Sequence, residues 1–310
     1  MSPYAYFNKQ FVPLSQAKLG IMTHALHYGT ACFEGIRGNW NGEKGQIYLF
    51  RLSEHYQRLH QSCHILKIDL PYSVDELCDL TVKLVEMNNY REDIYIRPLA
   101  YKASQTIGVR LHDLDDDFFI FVVPFGNYLD VDKGIRCCTS TWRRIDDTMI
   151  PPRAKITGIY INSALAKTEA FENGFDEAIL LSQDGHVSEG TGENIFLVLN
   201  GRLVTPPSPD NILMGITRDT VIEVAESEMG IQTIERHIDR SELYIADECF
   251  LTGTAAHMTP VIEVDHRKVG DGGIGAITRE LQKLYFDLVR GDNSKYLDWC
   301  TSASPGLVKV

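Results

Sequence analysis

Positive charge is in deficit. In 310 residues, 30 Lys and Arg face 42 Asp and Glu, for a formal net charge of −12. No basic stripe is available to release counterions from phosphates, so nucleic acid is excluded as the expected partner. No apolar run approaches the roughly 20 residues that span a bilayer. The N-terminus, MSPYAYFNKQFVPL, lacks the basic region and small-residue cleavage site of a signal peptide. The expectation is a cytoplasmic protein with no membrane association. Cysteine is sparse and odd in number: seven, without C-x-x-C, and with Cys137 and Cys138 adjacent. That pattern fits free buried thiols rather than a disulfide framework or a zinc site. A metal centre is not expected, since no H-E-x-x-H signature occurs. The G-x-S-x-G elbow of serine hydrolases is missing too.

What is present is enough apolar chain, 44% of residues, for two modest cores. From Met1 to about Pro124, short strands (IYLF, IYIRPLAY, FFIFVVP) mix with two helical stretches. One lies around SEHYQRLHQSCHIL and one runs from Val74 to about Asn89. This reads as a small α/β domain over 1–124. Its first helix sets Leu52, Tyr56 and Leu59 on one face, followed by Ile65 and Leu66, with Ser53 as N-cap and Arg58 beside the stripe. The Gly-, Asn- and Asp-rich stretch at 125–134 reads as an interdomain loop, and a larger domain occupies 135–310. There the pattern predicts a helix from about Gly158 to Asn173-Gly174, a strand DEAILLS, a loop VSEGTGEN, and strands IFLVL and RLVTP joined through Asn200-Gly201. A helix from about Thr217 to Met229, strands ECFLTG and MTPVIEV, and a last helix near 277–290 complete it.

Five places carry candidate chemistry. In PPRAKITGIY, Lys155 stands among Ala154, Ile156 and Gly158; desolvation lowers a lysine's pKa and prepares it for Schiff-base chemistry. In MGITRD, Gly215 precedes a helix whose first N–H groups suit a phosphate. The turn LTGTAA offers hydroxyls and amides to an anion. The loop VSEGTGEN holds two glutamates, Glu189 and Glu193, among small residues. In YIR, strand alternation puts Tyr95 and Arg97 on one side, as a surface pair or as a carboxylate site. Taken alone, each fragment is equally well an ordinary solvated lysine, capped helix, turn or charge pair. Together, a Schiff-base lysine, a phosphate-binding helix end and an isolated carboxylate are what pyridoxal phosphate (PLP) requires.

At this point the chain resembles a known family. HYGTACFEGIR, EHYQRLHQS, YIRPLAY, IGVR, AKITGIY, EAILLSQDGHVSEGTGENIF, TPP, GITRD and LYIADECFLTGTAAHMTPV occur in that order. In this the chain is similar to the class IV, or fold-type IV, PLP aminotransferases, and within them to the branched-chain amino-acid aminotransferases. The resemblance implies an α+β two-domain fold, D-amino-acid aminotransferase-like, with a small α/β domain and a larger β-rich one and PLP between them. It implies that Lys155 carries PLP and shuttles the proton of the substrate Cα. Glu189 would partner the pyridine nitrogen, while Glu193 is structural. Tyr160 would hydrogen-bond the phenolic oxygen, and Arg58, the amides of Ile216 and Thr217, and the Thr254 hydroxyl would hold the phosphate.

On the substrate side, the resemblance gives the α-carboxylate to Tyr95, Thr254 and Ala255. An apolar aromatic pocket would be formed by Tyr28, Phe33, Val109, Tyr128 and Tyr160, and Arg97 would receive the distal carboxylate of glutamate. The implied reaction is a reversible ping-pong transfer of the amino group of L-leucine, L-isoleucine or L-valine to 2-oxoglutarate. The partners are therefore small amino acids and 2-oxo acids, in a homodimer or higher homo-oligomer that shares pocket residues across subunits. The same cofactor frame serves D-amino-acid and (R)-amine transaminases and aminodeoxychorismate lyases, and a noncatalytic binding relative would keep the fold. One departure stands out: many relatives carry Asn where this chain has Ile159.

Overall fold

The computed structural model describes residues 3–126 and 128–305. Asn127, within the expected interdomain loop, and residues 306–310 lie outside them. The chain divides into two compact units: Met1–Gly126 with Ala154–Gly158 and Asp287–Val310, and Asn127–Arg153 with Ile159–Phe286.

The first unit is organised by an antiparallel sheet. Its strands are β1 (Tyr4–Phe7), β2 (Gln10–Pro13), β3 (Ala31–Phe33), β4 (Ile36–Asn41), β5 (Gln46–Phe50), β6 (Ile94–Lys102), β7 (Asp116–Pro124) and a C-terminal strand, Cys300–Ala303. The order runs from the C-terminal strand through β5, β4, β6, β7 and β1 to β2, and β3 also pairs with β6. Three helices accompany it: α1 (His24–Tyr28), α2 (Leu52–Ile65) and α3 (Val74–Asn88). Helix α2 forms because Leu52, Tyr56 and Leu59 recur on one face, and all three are buried. Burying each contributes roughly 1.5–3 kcal/mol. Two expectations about this helix fail. Its N-cap is Arg51, in left-handed conformation, and Ser53 lies inside the first turn, where its hydroxyl accepts from Gln57 Nε2. Ile65 is 40% exposed, because the helix ends there and the stripe has no further turn to cover. Helix α3 starts as a capping box instead, with Ser73 and Glu76 each satisfying the other's backbone N–H. Strand β6 alternates as expected: Ile94 and Ile96 are fully buried, while Tyr95 and Arg97 share the other face.

The second unit holds a mixed sheet of nine strands. They are β8 (Ile135–Arg143), β9 (Glu177–Leu181), β10 (Val187–Gly190), β11 (Asn194–Leu199), β12 (Arg202–Thr205), β13 (Thr233–Glu235), β14 (Glu248–Gly253), β15 (His257–Val264) and β16 (Arg267–Lys268). The order is β10-β9-β8-β15-β14-β11-β12-β13, with β16 on β15. The helices are α4 (Tyr160–Glu172), α5 (Ile216–Met229) and α6 (Ala276–Val289). Asn200 and Gly201 both have positive φ, 51° and 73°, which the tight turn between β11 and β12 requires. One apolar cluster gathers Ile179, Leu181, Val187, Ile195, Leu197, Leu251 and Val261 from successive strands. A second packs Ala166 and Ala170 of α4 against Ala178 and Leu180 of β9. The stretch VSEGTGEN departs from the expected loop. Its first four residues are β10, antiparallel to β9, so Glu189 projects from a strand. Among the described residues no helix is long and apolar enough to cross a membrane.

Candidate active site

In the first unit, Lys155 lies on the short segment that joins this unit from the far side of the sequence. Two backbone bonds anchor it: its N–H donates to Ser62 Oγ on α2, and its carbonyl accepts from Phe33 N–H on β3. The ammonium stands 5.1 Å from the Phe33 ring centre. The guanidinium of Arg97 lies 4.3 Å from the centre of the same ring and 5.1 Å from that of Tyr95, and its Nη2 donates to the Tyr95 hydroxyl at 2.9 Å. Arg97 Nε is buried and has no hydrogen-bond partner among the described residues. A phenyl ring with two cations within about 5 Å of its centre sets an apolar surface beside positive charge, which suits a ligand with apolar and anionic parts. The Tyr95 hydroxyl reaches its place only because residue 35 is glycine; a Cβ there would sit 2.1 Å from it.

Arg58, expected at a phosphate, is engaged with Glu34, a residue the sequence reading passed over. Arg58 donates through Nε and Nη2 to the two Glu34 oxygens, both at 2.7 Å, and His55 Nδ1 meets Oε2 at 2.7 Å. Burial alone would raise the Glu34 pKa, but the charge and hydrogen bonds of Arg58 and the bond to His55 overrule it and hold the carboxyl well below the ordinary range. Burial pulls the His55 pKa down despite Glu34, with Arg58 and Lys155 adding to that. Arg58 and Lys155 thus both lie within electrostatic reach of His55. Tyr28 and Val109 come together elsewhere in this unit: the Tyr28 hydroxyl accepts from Gly108 N–H at 3.1 Å, and the neighbouring Val109 is 90% exposed.

In the second unit, Glu189 is 5% exposed and held on both oxygens. Arg144 Nη2 meets Oε1 at 2.7 Å; Leu213 N–H at 3.0 Å and Asn194 Nδ2 at 3.2 Å donate to Oε2. Arg144 and Asn194 were not legible as site residues. Helix α5 begins at Ile216, with Gly215 as an N-cap that has no side chain to cap it, so the amides of Ile216 and Thr217 stand at a helix N-terminus suited to an anion. Thr254 and Ala255 are half-buried in the turn joining β14 to β15, and Tyr160 is the first residue of α4. Ile159 is buried at 2% exposure.

Glu193 has a separate surrounding. It accepts from Gly192 N–H at 3.0 Å and lies near Glu177, which Lys167 Nζ meets at 2.6 Å and Thr191 Oγ1 at 2.8 Å. Burial, then the Glu177 charge, push the Glu193 carboxyl up from 4.5 to about 8. Tyr128 joins this group, its ring 5.5 Å from the Lys167 ammonium.

PLP fits these residues. Taken one by one, the uncapped start of α5 has the chemistry to hold a phosphate, a carboxylate held as Glu189 is would suit a protonated ring nitrogen, and Lys155 has the amine that a Schiff base needs. The profile of the class IV amino-transferases matches residues 31–264. The chain belongs to that family. Among its relatives is a probable branched-chain-amino-acid aminotransferase of Aquifex aeolicus, 50% identical over 298 residues that cover 96% of each chain. Among solved structures, the branched-chain aminotransferase of Thermoproteus uzoniensis with norvaline superposes with a TM-score of 0.93 at 44% identity, covering 97% of this chain and 99% of that one. The PLP form of the branched-chain amino acid aminotransferase from Thermobaculum terrenum gives 0.93 at 40% identity, covering 97% and 98%. The family membership makes the protein a PLP-dependent aminotransferase with the fold-type IV architecture.

Proposed function

We propose that this aminotransferase moves the amino group of L-leucine, L-isoleucine or L-valine to 2-oxoglutarate, reversibly and in two half-reactions. The observation that carries the reading is the Arg97 guanidinium 4.3 Å from the centre of the Phe33 ring, because one site must take an apolar side chain and an acidic one in turn. The names of the relatives support it. PLP, when bound, supplies the electron sink for the bond broken at the substrate Cα.

The protein's own groups do the rest. Lys155 Nζ holds the cofactor and then moves the Cα proton. The Glu189 carboxylate favours a protonated ring nitrogen. Tyr160 orients the ring through its hydroxyl, and Arg58, the amides of Ile216 and Thr217, and Thr254 hold the phosphate. Tyr95, Thr254 and Ala255 receive the α-carboxylate; Tyr28, Phe33, Val109, Tyr128 and Tyr160 surround the side chain. Arg97 takes the distal carboxylate of glutamate. We place the protein in the cytoplasm, as a homodimer or higher homo-oligomer; the exposure of the apolar Ile21, Leu26 and Val109 supports the oligomer.

The test is the visible spectrum of the PLP-loaded protein before and after adding L-leucine without oxo acid. Loss of the lysine-bound cofactor band in favour of the pyridoxamine band is the expected result. An unchanged band, followed by a response to D-amino acids or (R)-amines, would overturn the substrate assignment. Arg97→Ala is expected to impair glutamate more than leucine; equal losses would make Arg97 structural.

A further inference from the structure

We propose that Asn194 is a positioning residue that ties the Glu189 carboxylate to the N-terminal end of α5, and that residue 215 is glycine to leave room for it. Asn194 opens β11 and is 5% exposed. Its Nδ2 carries two hydrogens and uses both: one goes to Glu189 Oε2 at 3.2 Å, the other to the Leu213 carbonyl at 2.9 Å. Leu213 closes the ring by donating its own N–H to the same Oε2 at 3.0 Å. Leu213 lies just before the N-cap of α5, so one amide fixes both the carboxylate and the chain that delivers the helix end. On the other side of that amide, a Cβ on Gly215 would lie 2.0 Å from Asn194 Oδ1. Any side chain at 215 must therefore displace the Asn194 amide from its two acceptors.

The inference rests on the reading that Glu189 and the start of α5 grip opposite ends of one rigid cofactor. Two such contacts act together only if their spacing is set before the ligand arrives. Neither Asp nor Ala meets the same demands. Asp would place a second carboxylate against Glu189, and Ala would remove the amide donor that Asn194 gives Oε2.

The experiment titrates apoprotein with PLP and records affinity, the pH dependence of the bound cofactor's visible band, and the apoprotein's melting temperature. The proteins are the unaltered chain, Asn194→Ala, Gly215→Ala, the double variant, and Glu189→Gln as reference. Losing a hydrogen bond to a charged group predicts that Asn194→Ala and Gly215→Ala each weaken PLP binding about tenfold or more. Each also shifts the pH profile in the direction Glu189→Gln does. The double variant is no weaker than the weaker single one, because the new methyl enters space the amide has left. Losses that multiply in the double variant, or an Asn194→Ala protein with unaltered affinity and profile, would overturn the proposal. Should Asn194→Ala not fold, the isosteric Asn194→Asp carries the same expectation of weakened binding. If Glu189→Gln itself leaves the profile unmoved, the reading of Glu189 fails; if it moves the profile and Asn194→Ala does not, only the role of Asn194 fails.

Discussion

Glu34 in the first unit and Glu193 in the second are the same residue type at nearly the same burial, 0% and 5% exposed, yet they titrate in opposite directions. Desolvation raises both. Around Glu34 it meets a bidentate arginine and a histidine, and the carboxyl stays ionised. Around Glu193 it meets a second carboxylate, and the lysine that could compensate spends its closest contact on Glu177 instead. The difference teaches that burial sets the size of the electrostatic problem while the partners decide its sign. It also separates two tasks. An ionised, fully paired glutamate holds Arg58 in one orientation, whereas a glutamate that keeps its proton adds no second negative charge near Glu189.

The largest effect is expected from breaking the first arrangement. Glu34→Gln leaves Arg58 with a neutral partner in a buried place, and removing one member of a buried ion pair costs about 3–5 kcal/mol. Denaturant unfolding of the apoprotein measures this; a loss below about 1 kcal/mol, the worth of an exposed pair, would refute the contrast. Lys167→Met attacks the second arrangement. It removes the cation 2.6 Å from Glu177 with roughly the same side-chain length, and since Lys167 is 28% exposed the loss is expected to be smaller, about 1–3 kcal/mol at neutral pH. The same substitution takes from Glu177 the cation that pairs with it, so the stability lost should be recovered as the pH is lowered. A pH-independent loss would point to packing of the lysine stem instead.

The contrast between these glutamates was invisible in the sequence for a physical reason. Periodicity reports which face of an element is buried, and it located α2, α3, α5, the turn at Asn200-Gly201 and the shared face of Tyr95 and Arg97. It does not report who meets whom across a fold. Glu34 was quoted within FEGIR without a role because Arg58 and His55 reach it from another element, and Arg144, the residue after β8, reaches Glu189 in the same way. The hairpin of β1 and β2 and the C-terminal strand escaped because four-residue strands carry too few alternations to register. Ser53 misled because a serine at a helix start is only a cap if the backbone turns there, and here it turns at Arg51. The VSEGTGEN stretch read as a loop because small and acidic residues disfavour strands; pairing with β9 outweighs that local preference.

The finest test of the contrast is Glu193→Gln. Gln has nearly the same shape and keeps an oxygen for the Gly192 N–H, so it mimics the protonated acid. Glu193 has a folded-state pKa of about 8 against an ordinary 4.5. Below 4.5 both folded and unfolded chains carry the proton, and unaltered and variant proteins should unfold within about 0.5 kcal/mol of each other. As the pH rises from there, the unfolded chain releases its proton while the folded chain retains it, so the native state binds more protons and loses stability. The loss is complete once the pH passes the folded value. The variant has no proton to release and escapes the slope, so a stability gap in its favour should open between pH 4.5 and about 8 and then hold constant. A gap of the opposite sign would mean that Glu193 is ionised and paired as Glu34 is, and the two regions would then obey one rule instead of two.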